Sequence, residues 1–355
     1  MSLLEITDLV IAHDPVSRGR LPVRRDAVVA RLEAAGDRRG ARIAAGLPCD
    51  AAGVLDPGAV DRRLVAIHTE LQRLSEEIRH GERVAALLRP LLTALRAADP
   101  AAPLRVVDIG TGLGYLPRWL AAANALTGAT DGSAPTPGRP GAAPVGGAGP
   151  VPGPAAVPAD AAGSPPHPAT GPAVELIGVD YHAALVAEAD RLAQAEGLAC
   201  RFVQGDAFAL DEPATVYISS GVLHHFRGPD LDAFFRAQSA DRSGAAAFCH
   251  FDIAATGLAP VGAWIFHRAR MRDPLGRHDG VVSARRAHDD RTLLRAAAHA
   301  KGLVPLVYEP RTRSNPFCTT LRPVLGIRPD LLPAVRAALG DGPSGRLLGT
   351  AEATG

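Results

Sequence analysis

The segment VVDIGTGLGY, residues 106–115, decides the fold of this 355-residue chain. An apolar run with strand character stops at three glycines, Gly110, Gly112 and Gly114, and a helix-like segment, LPRWLAAANAL, follows. Strand, glycine turn and helix form the opening of a nucleotide-binding α/β unit. Alternate glycines let the backbone turn tightly and let a ligand approach, and the first amides of the helix face that ligand.

The spacing of the glycines distinguishes between two classes of nucleotide-binding fold. A dinucleotide-binding fingerprint has glycine at its first, third and sixth positions, but the sixth position here is Tyr115. Residues 108–114 instead read Asp-x-Gly-x-Gly-x-Gly, which resembles the first motif of the class I S-adenosylmethionine-dependent methyltransferases. The resemblance implies cofactor contacts at Asp108, Gly110, Thr111, Gly112 and Gly114.

A second apolar strand, residues 174–180, ends in an acidic residue, Asp180. Residues 127–173 precede it, and they are almost entirely Gly, Pro, Ala, Ser, Thr and Val without periodicity, so we predict a disordered insertion. Once this insertion is set aside, Gly114 and Asp180 lie 19 positions apart. About 20 are expected between the glycine turn and the carboxylate that binds the ribose. We therefore predict that Asp180, with its neighbour Tyr181, binds a ribose-bearing cofactor.

Two further motifs extend the resemblance over about residues 104–326. The strand CRFVQ runs into GDAF, which in the family forms the adenine pocket, and the run SSGVLHHF resembles the fourth motif of small-molecule methyltransferases. That run lacks the Asn/Asp-Pro-Pro-aromatic signature of enzymes that methylate nucleic acid bases, and it lacks the metal-binding Asp of catechol-type enzymes. The resemblance implies five more cofactor contacts: Asp206, Ala207, Phe208, Ser220 and Gly221.

The order of elements predicts an α/β fold. We expect a doubly wound, mostly parallel seven-stranded sheet with an antiparallel last strand, plus an N-terminal helical segment. The expected domains are a helical cap at 1–100, a methyltransferase domain at 101–326 that the insertion interrupts, and a C-terminal tail at 327–355. Helices before the first motif often lie over the cofactor pocket in this family, so Arg79, His80 and Arg83 could reach it. A solvated helix face is the alternative that we favour for these three residues.

Candidate catalytic groups follow from the chemistry of methyl transfer. Displacement at a sulfonium requires mainly that donor and acceptor are positioned and water is excluded. A general base is needed only if the acceptor still carries its proton, and imidazole suits this task near neutral pH. The candidates are His224 and His225 after the fourth strand and His250 in the fifth. A structural role for His224 and His225 is an open alternative.

The segment 253–290 should build the acceptor site. Trp264 and Phe266 could stack on a flat acceptor, and an arginine could bind a carboxylate or phosphate. An amphipathic lid helix with a solvated basic face is the alternative. His267, His278 and His288 lack the spacing of metal ligands, so we predict no metal. The arginine candidates are Arg268, Arg272 and Arg277.

Composition limits the partners and the compartment. The 38 basic and 37 acidic residues give a net charge of +1, which argues against a dedicated nucleic-acid binder. Four widely spaced cysteines suggest a reducing cytoplasm. Acidic residues interrupt the N-terminal apolar run, and no run approaches the roughly 20 residues of a membrane span. We expect a cytoplasmic protein with a small-molecule acceptor and without nucleic acid or membrane partners, and a homodimer stays open.

These observations predict methyl transfer from S-adenosyl-L-methionine to a small molecule, with S-adenosyl-L-homocysteine as the product. One alternative is a catalytically silent scaffold that binds the cofactor. The other is a nicotinamide-dependent oxidoreductase, which Tyr115 and the SSGVLHH run disfavour.

Overall fold

The computed structural model describes residues 3–14, 16–124, 126, 174–310, 321–339 and 345–349. The predicted insertion, 127–173, and the predicted turn, 311–316, therefore lie outside the described residues.

Five helices precede the first strand. Asp56 caps the longest of them by accepting a hydrogen bond from the Ala59 amide, and Pro57 begins it with a preset backbone angle. The apolar stripe of this helix, including Leu64 and Ile67, is buried as its periodicity predicts. The helices are α1 (Ile6–Val10), α2 (Arg25–Ala34), α3 (Arg38–Ala45), α4 (Pro57–Glu77) and α5 (His80–Ala98).

One sheet contains all the strands of the described residues, in the order β3-β2-β1-β4-β5-β7-β6-β8. The first five strands pair in parallel, and β7 lies antiparallel between β5 and β6. This confirms the doubly wound, mostly parallel sheet with a late antiparallel strand. The strands are β1 (Leu104–Ile109), β2 (Val174–Asp180), β3 (Cys200–Gln204), β4 (Val216–Ser220), β5 (Ala247–Ile253), β6 (Val304–Pro310), β7 (Leu321–Ile327) and β8 (Gly345–Leu348).

The sheet has eight strands where the sequence predicted seven. The additional strand, β8, lies within the segment that we expected to be a C-terminal tail, and it pairs antiparallel with β6. A four-residue strand is too short to show an alternating pattern, so the pairing partner and not the local sequence defines it.

Helices cover both faces of the sheet because successive strand residues point to opposite sides. Val106 and Val216 pack with α5 and α6 on one side, whereas Val107 and Tyr217 pack with α8 on the other. The remaining helices are α6 (Tyr115–Ala122), α7 (Ala183–Ala195), α8 (Pro229–Ala237), α9 (Ala240–Ser243), α10 (Ala259–Arg270), α11 (Pro274–Arg286), α12 (Asp290–Ala297) and α13 (Leu332–Leu339).

A third core joins the N-terminal helices to the rest of the chain. Ile6 of α1, Leu32 of α2 and Ile67 of α4 pack with Leu185 of α7 and Leu275 of α11. This packing places α1 and α4 over the edge where the parallel strands end. No helix within the described ranges is long and apolar enough to cross a membrane.

Candidate functional site

A cavity of about 1370 Å³ opens at the carboxyl ends of β1, β2 and β4. The predicted cofactor residues line it with one exception, Gly114. A Cβ at Gly114 would lie 2.3 Å from the Phe202 ring, so this glycine permits close packing behind the turn and does not face the cavity. The lining residues from the prediction are Asp108, Gly110, Thr111, Gly112, Asp180, Tyr181, Asp206, Ala207, Phe208, Ser220 and Gly221.

The glycine turn presents bare backbone to this cavity. Gly110 and Gly112 have φ angles of 69° and 55°, in the left-handed region that favours glycine. A Cβ at Gly112 would lie 2.7 Å from Nδ1 of His68, which α4 places over the turn. The His68 imidazole therefore limits the space above the turn. Burial lowers the pKa of His68 to about 4, so this imidazole is neutral near pH 7.

Two carboxylates flank the turn. Asp180 accepts hydrogen bonds from the Gly112 amide at 2.8 Å and from the His182 amide at 2.9 Å, which fixes its orientation at the end of β2. Asp108 is buried; its Oδ2 accepts from the Thr111 hydroxyl, and its Oδ1 has no protein partner. Burial raises the pKa of Asp108 to about 7. Asp108 therefore offers the cavity an unsatisfied oxygen that a ligand donor can occupy.

The first residue of α5, His80, also reaches the cavity. Its Nε2 lies 2.7 Å from Oγ of Ser220 at the end of β4, and its Nδ1 is buried without a partner. Burial lowers the pKa of His80 to about 3, so the ring is neutral. The solvated face that we favoured in the sequence is wrong for His80, which is 1% exposed, whereas Arg79 is exposed and pairs with Glu82.

A pair of adjacent histidines follows β4, and both line the cavity. Nδ1 of His224 lies 2.9 Å from Oδ1 of Asp252, at the end of β5, and the backbone amide of His224 donates to the other oxygen of that carboxylate. Nε2 of His224 lies 3.8 Å from Oε1 of Glu5. The Asp252 carboxylate thus holds Nδ1 protonated and leaves the Nε2 lone pair available.

His225 has a different environment. Its Nδ1 lies 2.8 Å from Oδ1 of Asp8 in α1. Burial opposes a charge on this ring, but the Asp8 hydrogen bond and the charges of Glu5 and Asp8 outweigh burial and raise the pKa of His225 to about 9. His225 is therefore an imidazolium near neutral pH, and it holds α1 against the turn after β4.

Arg286 connects the same elements from α11. Its Nε and one terminal nitrogen donate to the carbonyl oxygens of His224 and His225, and its other terminal nitrogen donates to Asp8. Arg286 also lies 3.3 Å from Glu5. The ligand atoms of Glu5, His224 and His225 lie within 4.8 Å of one another, close enough to hold a metal ion in principle. The guanidinium already supplies a cation to the Glu5 and Asp8 carboxylates of this cluster.

One segment of the chain matches a known protein family. Residues 166–240, which contain β2, β3 and β4, match the family model described as a methyltransferase domain. The matched segment is therefore similar to a methyltransferase domain. The sheet order agrees with the fold that the sequence resemblance predicts.

Solved structures similar to this chain include two methyltransferases with bound S-adenosylhomocysteine. One is the magnesium protoporphyrin IX methyltransferase of Synechocystis PCC 6803, at 14% identity and a TM-score of 0.40. The other is the plantazolicin methyltransferase BpumL, at 9% identity and a TM-score of 0.46. Each comparison covers 86% of this chain and 99% of the other. A search of curated proteins finds no match.

His250 is not part of the cavity lining. It is fully buried in β5. Its Nδ1 lies 2.9 Å from Oγ of Ser219, and its Nε2 lies 2.8 Å from Oε1 of Gln238. Burial lowers the pKa of His250 to about 3. The sequence predicted His250 near the end of the fifth strand, but it is the central residue of β5, and its side chain points into the phenylalanine core behind the sheet, so it is no candidate base.

The predicted acceptor segment contributes in part. Phe266 and Arg270 of α10 line the cavity, whereas Trp264 points to solvent and is 49% exposed. Arg268, Arg272 and Arg277 are not among the lining residues. Of the three histidines in this segment, His267 lines the cavity, His278 pairs with Asp37 and Asp279, and His288 lies close to two backbone carbonyl oxygens.

Several residues of the site carry no sequence signal of their role. Glu5 and Asp8 are recognisable in the sequence only as acidic residues within an apolar run. His68, Asp252 and Arg286 belong to ordinary helix or strand patterns. Only tertiary packing brings His68 to the cavity, and Asp252 and Arg286 to His224.

Proposed function

We propose that this protein transfers a methyl group from S-adenosylmethionine to a nucleophilic atom of a bulky, largely apolar small molecule. The supporting observation is one cavity that joins the glycine turn to an imidazole–carboxylate pair. Its volume of about 1370 Å³ exceeds the roughly 300–1,000 Å³ of a typical single-ligand pocket, so it has room for donor and acceptor together.

The cofactor's orientation follows from the order of the strands. We assign the adenine to Asp206, Ala207 and Phe208 after β3, and the ribose to Asp180 at the end of β2. The amino acid end then lies over β1 and β4. There Oδ1 of Asp108 and Nδ1 of His80 are both buried without protein partners. These two unsatisfied atoms fit a ligand end that carries an ammonium and a carboxylate group.

When bound, S-adenosylmethionine supplies an electrophilic methyl group on a sulfonium. The protein's contribution is to align the acceptor and to take up its proton if it has one. Oδ1 of Asp252 accepts a hydrogen bond from Nδ1–H of His224, so Nε2 of His224 can remove a proton from an acceptor hydroxyl or amine. Glu5, 3.8 Å from Nε2, stabilises the imidazolium that forms. His225 is already protonated near neutral pH and therefore serves as a positioning residue.

The acceptor's apolar character follows from the walls of its compartment. The cavity lining includes Leu71 of α4, Ile78 directly after that helix, Phe226 after β4 and Phe266 of α10. Apolar and aromatic walls with a few placed polar groups bind ligands of matching character. An extended polynucleotide would instead need a basic groove, which these walls do not provide.

The test is to incubate the protein with S-adenosylmethionine and a pool of small-molecule extracts, and to measure the release of S-adenosylhomocysteine. We expect product with the native protein, and a loss of about 100-fold in rate with His224→Gln, because a general base contributes about 10²–10⁴. Binding of S-adenosylhomocysteine by His224→Gln should be unchanged. His299→Gln is the matched control, since His299 is exposed and distant from the cavity lining.

Two results would contradict parts of this proposal. Binding of S-adenosylhomocysteine without any turnover would favour the silent scaffold. Full turnover by His224→Gln would remove His224 as the base, while leaving methyl transfer by positioning alone.

A further inference from the structure

The helix α10 is apolar on the side that faces away from the protein. None of its residues is fully buried. Phe266 on its inner side lines the cavity. Trp264 and Ile265 on its outer side are 49% and 57% exposed, whereas Val261 and Leu258, which are 54% and 77% exposed, also line the cavity. The helix therefore separates an apolar cavity from solvent and presents a second apolar surface outward.

This exposure is concentrated. Eight large apolar side chains of the described residues are exposed, and four of them lie between positions 258 and 265. Tyr181 and Phe208, among the other four, line the cofactor end of the cavity. Scattered exposed apolar side chains are ordinary, but a contiguous group on one helix marks an interaction surface.

The same segment is basic. Residues 254–272 contain Arg268, Arg270 and Arg272 and no acidic residue. Arg270 lies 3.3 Å from Glu77, and both Arg268 and Arg272 are exposed. A helix with tryptophan and aliphatic residues outward and arginines at one end has the composition of helices that lie in the interface of anionic membranes.

A second protein chain fits this surface less well. Stable protein interfaces bury about 800 Å² on each partner through 20–30 residues. The outer face of α10 offers two large apolar side chains, Trp264 and Ile265, while the exposed Leu258 and Val261 belong to the cavity lining. A lipid surface requires no matching partner shape, and it accepts side chains that insert individually while the arginines contact phosphate groups.

We propose that α10 docks on an anionic membrane surface, with Leu258, Trp264 and Ile265 entering the interface and Arg268 and Arg272 on the lipid phosphates. The orientation would bring the mouth of the apolar cavity to the lipid. The docking itself does not depend on the proposed reaction, because it is measured without cofactor or acceptor.

The test uses the fluorescence of Trp264 in the full-length protein. The chain has two tryptophans, and Trp119→Phe leaves Trp264 as the single reporter. We expect a blue shift of its emission, and co-sedimentation of the protein, with vesicles of phosphatidylcholine and phosphatidylglycerol. Pure phosphatidylcholine should bind more weakly, and added salt should weaken binding to the anionic vesicles.

Variants locate the contact. Ile265→Asp should lower vesicle partition about tenfold, because it places a charge among the inserting side chains. Arg268→Gln with Arg272→Gln should abolish the preference for anionic vesicles. Val16→Asp is the matched control, since Val16 is 91% exposed and is not part of α10. Thermal melting of each variant establishes that it folds.

Three outcomes would overturn the proposal. Vesicles that neither shift the emission nor carry the protein down would exclude docking. A shift that depends on protein concentration and not on lipid would assign the face to a second copy of the chain. Equal losses in Ile265→Asp and Val16→Asp would show that α10 is not the contact.

Discussion

At the scale of single residues, four histidines of the site fall into three protonation environments. His80 and His68 are neutral because burial lowers their pKa, His225 is charged through Asp8, and His224 has one nitrogen fixed by Asp252. The two carboxylates come from different elements, α1 and β5. The chemical role of an imidazole here therefore depends on its partner and not on its position after a strand.

His80 provides a prediction at this scale. His80→Ala should weaken S-adenosylhomocysteine binding about tenfold, because a lost hydrogen bond contributes about 0.5–1.5 kcal/mol. Binding of 5′-methylthioadenosine, which lacks the amino acid end, should be unchanged. Calorimetric titration with both ligands measures the difference. Equal weakening of the two would mean that His80 supports the pocket generally and does not contact the amino acid end.

At the scale of elements, α1 depends on side chains from elsewhere in the chain. It has only five residues, and Asp279 of α11 accepts hydrogen bonds from the amides of Ile6 and Thr7 at its first turn. Asp8 joins it to His225 and Arg286. A helix this short is unstable alone, so these contacts and its burial against α2 and α11 hold it over the cavity.

The pair of Asp8 and His225 should make the stability of this region depend on pH. The folded pKa of His225, about 9, lies above its ordinary value of 6.5, so its contribution is complete below about pH 6.5 and is lost as pH rises through 9. The folded pKa of Asp8, about 2, lies below 3.8, so its contribution is present above about pH 3.8 and is lost as pH falls through 2.

His225→Gln should therefore lower the melting temperature by roughly 2–4 °C at pH 6, if the pair contributes about 1 kcal/mol. The difference from the native protein should shrink toward pH 10. Scanning calorimetry across this range, with His299→Gln as the control, measures it. A difference that stays constant from pH 6 to pH 10 would show that His225 contributes by packing alone.

At the scale of the whole molecule, the parts that the sequence predicted are those coded by local patterns. The glycine turn, Asp180 at a strand end and the alternating strands depend on neighbours in sequence, and they predicted the sheet and the cofactor end of the cavity. The acceptor side depends on contacts between distant segments. Asp8 and His225 are 217 positions apart, and Ile6 and Asp279 are 273 apart, so no local pattern encodes them.

The difference between local sequence patterns and contacts between distant segments also explains where the sequence predictions failed. His250 follows the strand pattern correctly, but the direction of its side chain decides its role, and this depends on strand register. The expectation of no membrane partner rested on the absence of an apolar run long enough to span a membrane; this criterion does not address an interfacial helix, so the expectation stays a prediction. The tail and insertion boundaries, with the helical cap at 1–100, stay predictions.

The measurement that tests the account most directly is calorimetric titration of the protein with S-adenosylhomocysteine, with NAD and NADP as parallel ligands. We predict micromolar or tighter binding of S-adenosylhomocysteine alone, and at least tenfold weaker binding by Asp180→Asn, whose carboxylate would hold the ribose. Asp330→Asn, an exposed surface change, should bind as the native protein does. Binding of a nicotinamide cofactor in place of S-adenosylhomocysteine would contradict the central claim.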